Sequence, residues 1–203
     1  MEHLRPRQNR ATSPPMEIER KYRAGDFGAV KTHIVSRGFK HAAAGRLSDI
    51  YYIPKFYEGS RTDFDLGDGV GNIRLRHDKD AKSYVLDLKY ISADPTKAGI
   101  ITEHECLLQG AESFAQAAKI IDLLGYKELC VIDKMREVYK SDDMKICLDE
   151  VADLGNFIEL EIIAPATGAE AALARIDSLA QKLGLKEEDR IMQGYVTLSA
   201  AKT

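Results

Sequence analysis

The chain of 203 residues has no tryptophan and only three cysteines. Cys106, Cys130 and Cys147 form no Cys-x-x-Cys pair and leave an odd thiol. That excludes a disulfide framework and reads as a reduced, cytoplasmic protein with structural cysteines. No apolar run approaches the roughly 18–20 residues of a membrane span, so no membrane partner is expected. The opening stretch, MEHLRPRQNRATSPP, lacks the apolar segment of an export signal. Net charge of one sign is also scarce, at −3 overall. Arg5, Arg7 and Arg10 make the first fifteen residues basic, which leaves the rest of the chain more acidic still. A net acidic body argues against a nucleic-acid backbone as partner. Any anion must then be held by local arrangement.

What is present is a chain 44% hydrophobic and 30% charged, enough for one well-filled domain. Residues 1–15, with Pro6, Pro14 and Pro15, read as a flexible arm, and residues 16–200 as the domain. Three amphipathic helices are predicted. They span about Asp26–Arg37, Glu112–Leu124 and Gly168–Leu183, and stop at Gly38, Gly125 and Gly184. Strands are predicted near 16–23, 47–54, 72–78, 83–91, 100–108, 128–139, 144–151, 156–163 and 190–198. The loop Arg61–Asn72 contains GDGVG, but no helix pattern follows it, so it does not read as a phosphate loop. Its Asp63, Asp65 and Asp68 lack the glutamate that would complete an EF-hand.

The strongest signal is a set of like charges spaced by two. Acidic pairs occur at Glu17/Glu19, Glu103/Glu105 and Glu159/Glu161, and basic pairs at Arg74/Arg76 and Lys134/Arg136. Lys21 continues the first strand in the same parity, and Lys89 shares a face with Asp87. In a strand, residues i and i+2 point the same way, so each pair projects from one face. A solvated face is the simple reading of one such pair. For the whole set it fails, because like charges two apart repel. The opposite parity is apolar: Ile18, Ile73 and Leu75, Leu86 and Leu88, then Ile158, Leu160 and Ile162. Those residues face a core, so the charges must gather on the other side of a curved sheet or barrel.

Six basic groups (Lys21, Arg74, Arg76, Lys89, Lys134 and Arg136) suit a polyanion, with arginine forks matching phosphate oxygens. Carboxylates beside a phosphate only repel it, unless they hold a divalent cation. Mg²⁺ or Mn²⁺ prefers oxygen ligands and bridges carboxylate to phosphate. A metal-bound polyphosphate is therefore the expected ligand. No His/Cys set has zinc spacing, and His104 alone on a strand reads as structural.

These residues carry a family resemblance. Glu17-Ile18-Glu19-Arg20-Lys21 resembles the ExExK motif that opens the CYTH domain of the triphosphate tunnel metalloenzymes. The group includes class IV adenylyl cyclases, thiamine triphosphatases and inorganic triphosphatases. Ile73-Arg74-Leu75-Arg76 is similar to its RxR strand, and Leu86-Asp87-Leu88-Lys89 to its basic strand. Thr102-Glu103-His104-Glu105 and Lys134-Met135-Arg136 resemble its central ExE and its KxR strand. Leu148-Asp149-Glu150-Val151 and the stretch Leu154–Glu161 resemble its LDxV and LGxFxExE motifs, and Gly194–Leu198 a degraded SYxEL.

The resemblance implies an α+β fold, an eight-stranded antiparallel barrel forming a tunnel, with flanking helices. It implies a metal (Mg²⁺ or Mn²⁺) on Glu17, Glu19, Glu159 and Glu161, assisted by Glu105 or Asp149. It implies triphosphate binding by Lys21, Arg74, Arg76, Lys89, Lys134 and Arg136, with Glu17, Glu19 and Lys21 at the chemistry. The partner is a triphosphate-bearing small molecule, and a homodimer is left open. Class IV cyclases carry His-Phe six and five residues before ExExK, where this chain has Ala11 and Thr12. Gly194 and Thr197 likewise stand where Ser and Glu are usual. Hydrolysis of a triphosphate is therefore the expected activity, with an adenylyl cyclase or a non-catalytic polyphosphate-binding module as alternatives.

Overall fold

The computed structural model describes residues 16–57, 72–91 and 100–201. The expected N-terminal arm and the GDGVG stretch with Asp63, Asp65 and Asp68 lie outside the described residues. Among the described residues no helix is long and apolar enough to cross a membrane.

Among the described residues nine antiparallel strands form one sheet. They are β1 (Met16–Ala24), β2 (Lys40–Pro54), β3 (Asn72–Asp78), β4 (Ser83–Ile91), β5 (Ile100–Leu108), β6 (Tyr126–Ser141), β7 (Met144–Val151), β8 (Gly155–Ala164) and the two-residue β9 (Arg190–Ile191). Their order is β5-β4-β3-β2-β6-β7-β8-β1-β9, and β5 also pairs with β1. That pairing, Glu17 with Ile101 and Ile18 with Ile100, joins the first eight strands into a ring. β2 and β6 are long, at 15 and 16 residues, and form the most extended ladder. A ring needs tilted, staggered strands, and long partners supply the overlap.

The period-2 pattern decides which face turns inward. Ile18, Leu75, Ile158, Leu160 and Ile162 are buried on the outer face of the ring. There α1 (Gly28–Ser36) and α3 (Ala169–Lys182) cover β1, β7 and β8 through Val30, Ile34, Ala172, Ile176 and Leu179. On the other side α2 (Gly110–Leu123) lays Ala117 and Ile121 against Leu75 and Tyr52. Each of these helices ends two residues before the glycine predicted to stop it. Leu88 is one exception to the expected burial of the apolar parity, remaining 39% exposed beside α2.

One predicted element is different. Residues 190–198 were expected as a strand, but only Arg190–Ile191 pair, and Tyr195–Ala200 form a fourth helix, α4. Tyr195, Val196 and Thr197 are β-favouring residues and look like a strand in sequence, yet all three are buried by this short helix. Tyr195 and Val196 pack with Phe157, Ile132, Tyr51 and Val151 to close the apolar end of the ring. Tertiary burial outweighs the β preference of the local residues.

Candidate functional site

The inner face is where the charge pairs converge. Glu17, Glu19 and Lys21 project inward from β1, Arg74 and Arg76 from β3, Lys134 and Arg136 from β6, and Glu159 and Glu161 from β8. All nine line one cavity of about 180 Å³. A single water needs about 10–15 Å³ on this scale, so the space admits a ligand of on the order of ten heavy atoms.

Strand order segregates the charge. The three strands bearing Glu-x-Glu are consecutive in the ring, since β5 pairs with β1 and β1 with β8. The Arg-x-Arg and Lys-x-Arg strands, β3 and β6, flank β2 on the far side. An acidic wall thus faces a basic one. Gly155 opens β8 with a φ of +98°, which a side chain would strain, and so starts the strand that delivers Glu159 and Glu161.

On the acidic wall, Glu19 stands opposite Glu161 in the β1–β8 ladder. Oxygens of Glu17, Glu19 and Glu161 lie within 4.8 Å of one another, a separation that one ion can span. A second group within the same limit joins Glu161 to Glu159 and Cys147. Burial, and then the like charge of Glu17, push Glu161 up to about 8. Carboxylates crowded this way are relieved by a cation. The hard oxygen donors fit Mg²⁺ or Mn²⁺, with Glu17, Glu19 and Glu161 as the residues that would hold it.

The two assisting carboxylates stand elsewhere. Glu105 is exposed on β5 and groups with Asp87 and Glu103. Asp149 is fully buried and engaged by cations: Arg136 Nε donates to Oδ1 at 2.6 Å, and Lys134 Nζ is 3.7 Å from Oδ2. Lys89 faces Glu103 in the β4–β5 register, and its side chain lies outside the described set.

The basic wall is held by carboxylates, and one of them, the buried Asp49, the sequence pattern did not mark. Asp49 on β2 accepts from Arg76 Nε at 2.7 Å and Nη2 at 2.8 Å, and lies 3.3 Å from Lys134 Nζ. Burial alone would raise the Asp49 carboxyl, but Lys134, Arg76 and Arg74 hold it well below the usual range. Arg74 donates to Asp87 at 2.6 Å and to Glu103 at 2.9 Å. Lys21 Nζ pairs with Glu159 at 3.3 Å and sits 4.1 Å from the centre of the Tyr195 ring. The Tyr195 hydroxyl donates to Asp149 Oδ2 at 2.8 Å.

Sequence reasoning missed Asp49, Lys145, Cys147 and Tyr195. Asp49 has Leu47 and Tyr51 two residues away, and Lys145 has Asp143 and Cys147, so neither shows a like-charge pair. Only the inward parity of β2 and β7 could have pointed to them. Tyr195 reached the site through a helix predicted as strand.

The sequence profile of the CYTH domain matches residues 15–195. A Methanocaldococcus jannaschii protein named "Putative adenylate cyclase" is 28% identical over 185 residues, covering 90% of this chain and 98% of that protein. The solved structure of Pyrococcus horikoshii PH1012 superposes with a TM-score of 0.75 at 26% identity, covering 90% of this chain and 99% of that one. The Hippeastrum adenylyl cyclase candidate HpAC1, described as having a dominant triphosphatase activity, shares the fold. Its TM-score is 0.54 at 15% identity, covering 89% of this chain and 91% of that one.

Proposed function

The chain belongs to the CYTH domain family, and we propose that it is a cation-dependent enzyme that binds a triphosphate in the ring and hydrolyses it. The observation that carries this reading is the acidic wall of β5, β1 and β8 facing the basic strands β3 and β6 across one cavity. A polyphosphate alone would be repelled by Glu17, Glu19, Glu159 and Glu161, and a cation alone by the arginines. The two together satisfy both walls.

Arg74, Arg76 and Arg136, whose Nε–Nη2 edges are turned to carboxylates, bring guanidinium charge to phosphate oxygens, and Lys134 and Lys21 add point charges. Each is held beside a carboxylate, so its direction is fixed before the anion arrives and little ordering is needed on binding. Lys21, between Glu159 and Tyr195, is placed to steady charge on the phosphoryl group nearest β1. Glu17, Glu19 and Glu161 would hold the cation, which we take to be Mg²⁺ or Mn²⁺ and which would supply charge neutralisation and a more acidic water.

A second reading, ATP cyclisation to cyclic AMP and pyrophosphate, is favoured by the name of the M. jannaschii relative. Cyclisation also requires a pocket that orients purine and ribose. The described aromatics near the charges, Tyr51 and Tyr195, are buried in the apolar end of the ring, and Ala11 and Thr12 replace the cyclase His-Phe pair. The test is a chromatographic product assay. ATP, thiamine triphosphate and tripolyphosphate are supplied with Mg²⁺ or Mn²⁺. Orthophosphate as the main product supports hydrolysis, and stoichiometric cyclic AMP and pyrophosphate from ATP overturn it. Binding without turnover of any of the three would identify a polyphosphate-binding module.

A further inference from the structure

Lys145 was not singled out by the sequence, yet it sits on the acidic wall. It lies on β7 directly opposite Glu161 in the β7–β8 ladder. Its ammonium is in contact with Glu161 Oε2 and is 3.7 Å from Glu17 Oε1. Glu17 and Glu161 are two of the three carboxylates grouped closely enough to share one ion. The neighbouring cations on this side are engaged differently: Lys21 with Glu159, and Arg136 with Asp149 and Glu159.

Resting on the reading of Glu17, Glu19 and Glu161 as the cation site, we propose that Lys145 is a built-in competitor for that site. Its ammonium and a divalent cation draw on the same carboxylates, Glu17 and Glu161. A carboxylate lone pair donated to a metal at about 2.1 Å is no longer open to an N–H donor. The two positive charges also repel at such a separation. Cation binding therefore displaces Lys145. The Lys145 side chain is 34% exposed and lines the cavity, so a path out of the pair exists, and it leads toward the space assigned to the anion. Lys145 lowers intrinsic cation affinity and, once released, adds positive charge where phosphate oxygens would lie. Cation and polyphosphate binding are thereby coupled through one side chain.

The test is a Mn²⁺ titration of wild type, Lys145→Met, Lys145→Gln and Lys145→Arg, without nucleotide, read by calorimetry and by the electron spin resonance of free Mn²⁺. Both neutral variants are expected to bind Mn²⁺ more tightly, on the order of tenfold. The arginine variant, which keeps the charge, is expected to stay near wild type. Unchanged or weaker Mn²⁺ binding in the neutral variants, with native circular dichroism, overturns the competition. A Glu19→Gln control separates the two readings. If wild-type Mn²⁺ binding survives Glu19→Gln intact, the cation site itself is misplaced and both readings fall. If Glu19→Gln abolishes binding while the neutral Lys145 variants bind like wild type, only the competition falls.

Discussion

Asp49 on β2 and Arg76 on β3 form a forked ion pair, with both guanidinium contacts between 2.7 and 2.8 Å and the carboxylate fully buried. Lys134 reaches the same carboxylate from β6, on the other side of β2, and Arg74 lies 3.9 Å away. One short acid thus stands between three of the cations assigned to the anion. It holds them at fixed directions while offsetting their mutual repulsion.

Asp49→Asn should therefore cost more than an ordinary surface change. Removing one partner of a buried ion pair typically costs about 3–5 kcal/mol, because the remaining charges are left unpaired. The expected outcome is a loss of that order in urea unfolding at neutral pH, together with weaker tripolyphosphate binding. A variant as stable as wild type would show that Asp49 is not the centre of the basic wall.

The same acid sets a pH dependence. Its carboxyl is held well below the usual range in the folded state by Lys134, Arg76 and Arg74, against burial. A depressed folded value means the folded state binds fewer protons than the unfolded chain, so stability rises with pH. The contribution is complete above about pH 4, the unfolded value, and is lost as pH falls through the folded value. Wild type should lose stability steeply below about pH 4, and Asp49→Asn less steeply, in unfolding curves taken from pH 5 to pH 2.

Glu19→Gln, Glu159→Gln and Glu161→Gln should each weaken Mn²⁺ binding and abolish cation-dependent turnover while leaving the fold intact. A neutral amide keeps the shape and removes the charge that attracts the ion. Calorimetry with Mn²⁺ and far-ultraviolet circular dichroism check the two halves. Undiminished turnover with unchanged metal dependence in Glu159→Gln would place the cation elsewhere.

Arg76→Ala and Arg136→Ala should weaken tripolyphosphate binding by about 1.5–3 kcal/mol each, the range of a hydrogen bond to a charged group. Wild-type affinity in both variants, measured with the cation held saturating, would remove the basic wall from the anion site.

The thiols should divide by burial. Cys147 has no exposure, its Sγ lies 3.4 Å from Glu161 Oε1, and burial pushes its thiol well up, whereas Cys106 is exposed. A disulfide reagent should modify Cys106 in the native protein and Cys147 only on unfolding. Rapid native modification of Cys147 would contradict its placement inside the ring.

Most of the ring was legible in the sequence, because a strand with one buried face prints its period directly. Glu17/Glu19, Arg74/Arg76, Lys134/Arg136 and Glu159/Glu161 each declared an inward face, and Ile18, Leu75 and Ile158 an outward one. The three long helices were legible for the same reason: Val30 and Ile34, Ala117 and Ile121, and Ile176 and Leu179 recur at helical spacing before a glycine. What the sequence could not state was which strands are neighbours. The placement of β5, β1 and β8 side by side, with β3 and β6 across from them, comes from ladder pairing between residues far apart in the chain, such as Ile18 with Ile100 and Met16 with Ala164. That pairing turns separate charge pairs into two opposed walls. Single charges had no periodic signature at all. Asp49 and Lys145 acquire their roles only from what the adjacent strands bring to them, Arg76 and Lys134 in one case and Glu17 and Glu161 in the other. Tyr195 was hidden further, since its segment is rich in β-favouring residues and becomes a helix where the end of the ring offers it burial against Phe157 and Asp149. Local pattern determines which way a side chain faces, whereas long-range pairing and burial determine what it meets.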